Sequence, residues 1–453
     1  MSHPDYSAND HRDASDGGVC SGGLKRCFSE FSSDPCDYER LRDLECLKHR
    51  VIQFFSVDIV DSTAMKQAGQ DTGDWMNPVV NFFGQITHSF DRAWDCAKKN
   101  LEWIKKFDKN LTTGPAPEFF KGNGDEAIFQ KELKHPAEAL YLLYALRDEI
   151  SRLDIKGPLS SDGSSRSLQY KVSSWVASFP VPNRRIVLRQ KWGKEIFVGT
   201  ALFGDYILRN FDLIERYYED RSKALAQGGG VHYGQDFGLV IDYVGPSLDT
   251  GFRVSSLANS RRLTFSLELA QIMAAVHSHI TKCQQQGVAK EYKDYTRSKR
   301  SGHSPEPIPA LDLLVDCEIF LLGFHSLKGV LKGAPFPVFW IPASPKSDAL
   351  LKDEVLSKLD WYTLFDSLSE FIEQHKGDLF PVYMPEDSWN LFNVLDKDRQ
   401  KKHFMLMDSI LEPIKKRKIE TELSSGNVDA ADDNASGTDD QIVEDFLLGM
   451  PQR

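Results

Sequence analysis

Apolar residues run unbroken in some segments of the chain and recur every three or four positions in others. Val51–Asp58 (VIQFFSVD) is an apolar run closed by a carboxylate, the pattern of a strand buried on both faces of a sheet. Asp61-Ser62-Thr63 follow and bring N-cap chemistry for a helix. Val79, Phe83, Ile86, Phe90, Trp94 and Ala97 then recur at helical spacing and predict an amphipathic helix. Residues 108–117 (DKNLTTGPAP) read as loop. In Glu118–Gln130 (EFFKGNGDEAIFQ) two short apolar runs flank Asn123-Gly124, a hairpin signal in which both turn residues would take positive φ. Pro136 opens a helix through Leu153, with Leu140, Leu143, Arg147 and Ile150 on one stripe. Strands are predicted at Leu168–Phe179, Arg185–Arg189, Glu195–Val198 and Phe237–Val244. Helices are predicted at Asp37–Lys48, at Asp205–Ala226, from Pro246, and over Phe265–Ile280.

That order of elements predicts an α+β fold, an antiparallel sheet covered by helices. Residues 1–36, rich in Ser, Asp and Gly, read as a flexible lead-in to a domain over 37–283. Residues 284–309, rich in Lys, Gln, Ser and Pro, read as a linker to a smaller α/β domain at 310–423, with a strand at Val315–Gly323. Residues 424–453 read as an acidic, disordered tail.

Composition narrows the classes. Among 453 residues, 41% are hydrophobic and 27% charged, which suits a globular protein and excludes collagen-like or wholly disordered chains. No apolar run approaches the ~20 residues of a membrane helix, and the N-terminus lacks an apolar signal core. A soluble, cytoplasmic protein without membrane contact is expected. The net charge of −11 is concentrated from residue 419 onward, where nine acidic residues face one arginine. The rest is near neutral, so no basic face for direct nucleic-acid binding is expected. The seven cysteines are scattered and form no CxxC pair, against a disulfide framework or zinc ribbon. Gly228-Gly229-Gly230 lacks the Lys-Ser/Thr of a phosphate loop and reads as a flexible loop. Lys415-Lys416-Arg417-Lys418 reads as a solvated helix end.

The candidate chemistry lies in two carboxylates. Asp58 ends the central strand and Asp125 follows the hairpin turn. In an antiparallel sheet such ends can lie side by side. Two carboxylates and a backbone carbonyl then suit a hard divalent cation. The amides that open the helix at Asp61–Thr63 suit a phosphate.

SVDIVDST and KGNGDEAIF resemble the first and second metal-binding motifs of the class III nucleotide cyclases. GPSLDTGFR (Gly245–Arg253) is similar to that family's segment of glycine, asparagine four on and arginine four further. The resemblance covers residues 50–265 and implies the class III cyclase catalytic fold, a ferredoxin-like antiparallel sheet with helices. It implies that Asp58, Asp125 and the Ile59 carbonyl bind two Mn²⁺ or Mg²⁺ ions per site, and that Arg253 stabilises phosphoryl charge. Lys121 and Asp242 match the pair that reads the base in adenylate cyclases. Asp249 stands where the family has asparagine, Asp61-Ser62 replace its Gly-Phe, and the stretch between the metal aspartates is longer.

In this family the partner subunit supplies the arginine and the base-reading pair. Lys121 and Asp125 share one hairpin, so they would serve two sites, and a homodimer is implied. FFSVDIVDST and the C-terminal region most resemble the pyrimidine cyclases of bacterial anti-phage defence, whose cyclic UMP or cyclic CMP is sensed by a separate effector. A lysine donor and an aspartate acceptor can read uracil through O4 and N3–H, or adenine through N1 and the N6 amine. Cytosine has an acceptor at N3, which favours UTP over CTP. Phe54 or Phe55 could shorten the pocket against purines, and Phe55 is the expected contact. Nucleotide contacts are thus expected from Phe55, Thr63, Lys121, Asp242 and Asp249. Cytidylate and adenylate cyclases remain alternatives. A non-catalytic interaction module is disfavoured by the presence of both metal aspartates and Arg253.

Overall fold

The computed structural model describes residues 47–68, 73–159, 165–189, 239–282, 286–301, 308–344 and 359–395, with scattered positions at 214–223, 306 and 397–409. The helices expected at 37–48 and 205–226, the strand at 195–198, the glycine run at 228–230, the basic run at 415–418 and both chain ends lie wholly or largely outside these residues.

The predicted central strand is β1 (Arg50–Ile59). It pairs antiparallel with β3 (Glu126–Leu133) on one side and β6 (Tyr170–Phe179) on the other. With β2 (Glu118–Asn123), β9 (Arg262–Phe265), β10 (Phe320–Ser326) and β11 (Pro335–Pro342), they make a seven-stranded sheet in the order β10-β11-β9-β6-β1-β3-β2. Only β6 and β9 run parallel within it. Two small ribbons stand apart, β4 (Lys156–Leu159) with β5 (Ser165–Ser167), and β7 (Arg184–Arg189) with β8 (Leu239–Val244). The α+β, antiparallel expectation therefore holds.

Strand alternation divides β1 between two cores. Val51, Phe55, Val57 and Ile59 belong to the larger one, together with α2 (Met76–Lys105), α3 (Pro136–Ile150) and α5 (Leu267–Lys282). Ile52 and Phe54 belong to the smaller one, with Ile128, Trp175, Phe179, Ile241 and Tyr243. By the same alternation Asp58 shares the face of Ile52 and Phe54. On α2 the helical stripe is as expected, except that Phe82 is the fully buried residue and Phe83 lies at its margin. The N-terminus of α3 carries a capping box between His135 and Glu138. Among the described residues, no helix is long and apolar enough to cross a membrane.

The C-terminal region departs from the expected division. Residues 286–300, inside the expected linker, form α6 (Gln286–Arg300). Its Tyr295 is buried and donates a 2.6 Å hydrogen bond to Asp312 on α7 (Pro309–Asp316). The strand expected at 315–323 starts later, at Phe320. Through β11, which pairs with β9, this hairpin extends the main sheet rather than starting another. Residues from α7, β11, α8 (Trp361–Gln374) and the segment up to Phe392 share the larger core with Val51 and Phe55. The described residues of 310–392 thus share the main core rather than forming a separate one. Strand β9 has only four residues, too few for a visible period, and without it nothing in the sequence shows which edge the hairpin covers.

Candidate active site

The hairpin forms one residue later than the Asn-Gly signal suggests. Strand β2 ends at Asn123, β3 begins at Glu126, and Gly124 alone takes positive φ (71°). Glycine in the first of two turn positions is the other favoured two-residue hairpin. The shift leaves Asp125 as the second turn residue, beside the end of β1, where Asp58 is the cross-strand partner of Glu126. The Asp58 and Asp125 side chains lie close enough for each to shift the other's carboxyl. The sequence-predicted pair therefore meets from positions far apart in the chain.

Each carboxylate also holds a lysine. Lys171, opposite Asp58 on β6, places Nζ 2.7 Å from its Oδ2. Lys66, on the short helix α1 (Ser62–Ala68), places Nζ 2.7 Å from Asp125 Oδ1. Burial pushes the Asp58 carboxyl up, the Lys171 hydrogen bond pulls it down, Asp125 raises it again, and the net shift is upward. Burial also raises Asp125, but hydrogen bonds involving Lys66, Ser62 and Asp58 outweigh it and leave it below the usual range.

Lys121 and Asp242 also meet, with Nζ 2.8 Å from Oδ1. A bulge between Phe119 and Lys121 lets this happen. Phe119 packs towards the larger core, while Phe120 packs in the smaller one against Tyr243, their ring centroids 5.1 Å apart. Phe120 and Tyr243 each neighbour one member of the pair, so aromatic packing sets the distance between the charges. The Lys121 ammonium lies 4.8 Å from the Phe120 ring centroid.

Arg253 and Asp249 lie on α4 (Pro246–Ser255), where Arg253 Nη1 donates to the Asp249 carbonyl at 2.8 Å. Among the described residues Arg253 makes no hydrogen bond or ion pair with Asp58, Asp125, Lys121 or Asp242. Asp249 is exposed, and so is Thr63 in the first turn of α1. The Ile59 side chain is buried in the larger core.

Phe55 must be corrected. It is fully buried on the face opposite Asp58, with its ring centroid 5.4 Å from that of Phe90 on α2. One step along a strand reverses the side chain, so Phe54 shares the face of Asp58. Phe54 is itself enclosed by Phe120, Trp175, Phe179 and Tyr243. The aromatic residue beside the charged pair that keeps some exposure is Phe120, which the sequence reading passed over, as it did Lys66 and Lys171. The EFFKGN pattern contained Phe120, but its face depends on a bulge that spacing does not reveal.

Helix α4 is seated by a glycine. A Cβ on Gly251 would lie 2.2 Å from Cγ of buried Trp175. Gly251→Ala should lift the helix, cost about 1–3 kcal/mol as overpacking does, and displace Arg253. Calorimetry should show a lower Tm, and any activity should fall with it; an unchanged Tm would contradict this packing.

The donors fit a small divalent cation in kind and number. Mg²⁺ is ordinarily held by one or two carboxylates, with substrate phosphates and water completing the shell. Two acids in contact, each beside an ammonium that stands in for a cation, match that description. No group of three or more His, Cys, Asp or Glu side chains gathers for a metal among the described residues.

No family model matches the sequence, and no curated protein matches it significantly. Among solved structures, the chain is similar to the guanylate cyclase domain of RhGC from Catenaria anguillulae in complex with GTP, at 11% identity and a TM-score of 0.30 over 65% of this chain and 97% of that one. It is similar to the adenylyl cyclase CyaB from P. aeruginosa at 11% identity, TM-score 0.30, over 65% and 94%. A bacterial light-regulated adenylyl cyclase aligns at 9% identity, TM-score 0.29, over 71% and 99%. Likeness at these scores leaves function to the residues themselves.

Proposed function

We propose that the chain is a nucleotide cyclase that works as a homodimer and converts UTP to 3′,5′-cyclic UMP and diphosphate. The observation that carries this reading is the contact between Asp58 and Asp125 at one end of the sheet. Mn²⁺ or Mg²⁺ held there, with the Ile59 carbonyl, would lower the pKa of the ribose 3′-hydroxyl and offset triphosphate charge. Lys171, ion-paired with Asp58, would contact phosphate oxygens as they enter. Arg253, whose Nη1 donates to the Asp249 carbonyl of its own helix, would reach across a dimer to the partner's phosphoryl group and stabilise its charge.

Lys121 and Asp242 would read the base. They satisfy each other at 2.8 Å, so an entering base must return both bonds. Uracil does so with O4 and N3–H, and Phe120 offers a face beside them. The resemblance of FFSVDIVDST further supports a messenger role in anti-phage defence, with the product read by a separate effector. The same pair suits adenine N1 and its N6 amine, so adenylate cyclisation is the second reading.

Competition among the four ribonucleoside triphosphates with Mn²⁺ tests base choice. UTP should be turned over about a hundredfold or more in preference to CTP, whose N3 acceptor would leave Asp242 unpaired, and in preference to the purine triphosphates, which a pyrimidine-sized pocket would reject by bulk. Preference for ATP would remove the pyrimidine reading and leave the cyclase reading standing.

A further inference from the structure

The metal aspartates are not held alike. Lys171 projects from a central strand whose register fixes it opposite Asp58. Lys66 projects from the seven-residue helix α1, anchored by buried Ser62 and by Met65 packed against the larger core. Ser62 and Lys66 are four residues apart, hence on one face of that helix; Lys66 hydrogen-bonds Asp125, and Ser62 lies close enough to lower its carboxyl as well. The Lys66 side chain keeps 31% exposure, and Asp125 keeps 20%. Two carboxylates and two ammonium groups cancel in charge, so the protein without nucleotide offers a cation little net attraction.

We propose that Lys66 is an exchangeable counter-ion for Asp125: its ammonium holds the carboxylate while the site is empty and passes to triphosphate oxygens when a divalent cation arrives with the nucleotide. This rests on the metal-binding reading of Asp58 and Asp125. A lysine suits the exchange because its point charge sits on a flexible stem and serves carboxylate or phosphate equally. The device makes tight metal binding depend on the triphosphate.

Titration of the full chain with Mn²⁺, read by the EPR signal of free Mn²⁺, tests this without turnover. Inorganic tripolyphosphate serves as the anion. Wild-type protein should bind Mn²⁺ weakly alone and at least tenfold more tightly with tripolyphosphate. Lys66→Met should bind Mn²⁺ alone at least fivefold more tightly than wild type and lose most of the tripolyphosphate enhancement. In Lys66→Met Asp125→Ala, the gain should vanish. Equal affinity and equal enhancement in wild type and Lys66→Met would overturn the proposal while leaving the metal site intact. Absence of Mn²⁺ binding in wild type and Lys66→Met alike would overturn the metal site and this proposal with it. Lys66→Gln repeats the measurement if the Met variant folds poorly.

Discussion

Asp58→Ala and Asp125→Ala should each abolish cyclisation while the protein stays folded. Removing one carboxylate from a site that clamps a triphosphate should cost about 4 kcal/mol of transition-state stabilisation, roughly a thousandfold in rate. The fold should tolerate the change. The partners left behind, Lys171 and Lys66, keep 35% and 31% side-chain exposure and can turn to water. Exposed ion pairs of this kind are worth about 0–1 kcal/mol. Turnover with circular dichroism on the same samples checks both halves. Near-full activity in either variant would remove the two acids from the chemistry.

Mixing two dead proteins should restore activity. Arg253 lies on α4 without a bond to the aspartate pair of its own chain, so its phosphoryl group should belong to the partner subunit. Asp58→Ala and Arg253→Ala proteins should each be inactive. Random exchange makes about half the dimers mixed, each with one intact site and one doubly damaged site. Recovery should therefore approach about a quarter of wild-type activity per protein. No recovery despite demonstrated subunit exchange would mean that each site is built within one chain.

Legibility in the sequence followed the range of the forces involved. Strand β1 and helix α2 were readable because burial on two faces, or on one helical stripe, prints a period into neighbouring residues. Asp58 and Asp125 were readable as strand-end and turn residues, and their contact follows from antiparallel pairing. Lys121 and Asp242 were expected from the family resemblance to act as a pair on the base, but neither their direct contact nor the bulge beside Lys121 had a local signature. Phe55 was misplaced because an unbroken apolar run does not show which residue faces which core. Lys66 and Lys171 carried no motif, since each is defined by the acid it meets across the fold. The C-terminal hairpin was read as a separate domain because its partner strand, β9, is too short to announce itself.

Cyclic-nucleotide formation at the Asp58–Asp125 pair can be read directly from the reaction products. Mass spectrometry of the products formed by the purified full chain with Mn²⁺ and each ribonucleoside triphosphate, beside Asp125→Ala, tests it most directly. UTP should give 3′,5′-cyclic UMP and diphosphate with the wild-type chain, and neither with the variant. No cyclic nucleotide from any of the four, or an equal yield from Asp125→Ala, would contradict it.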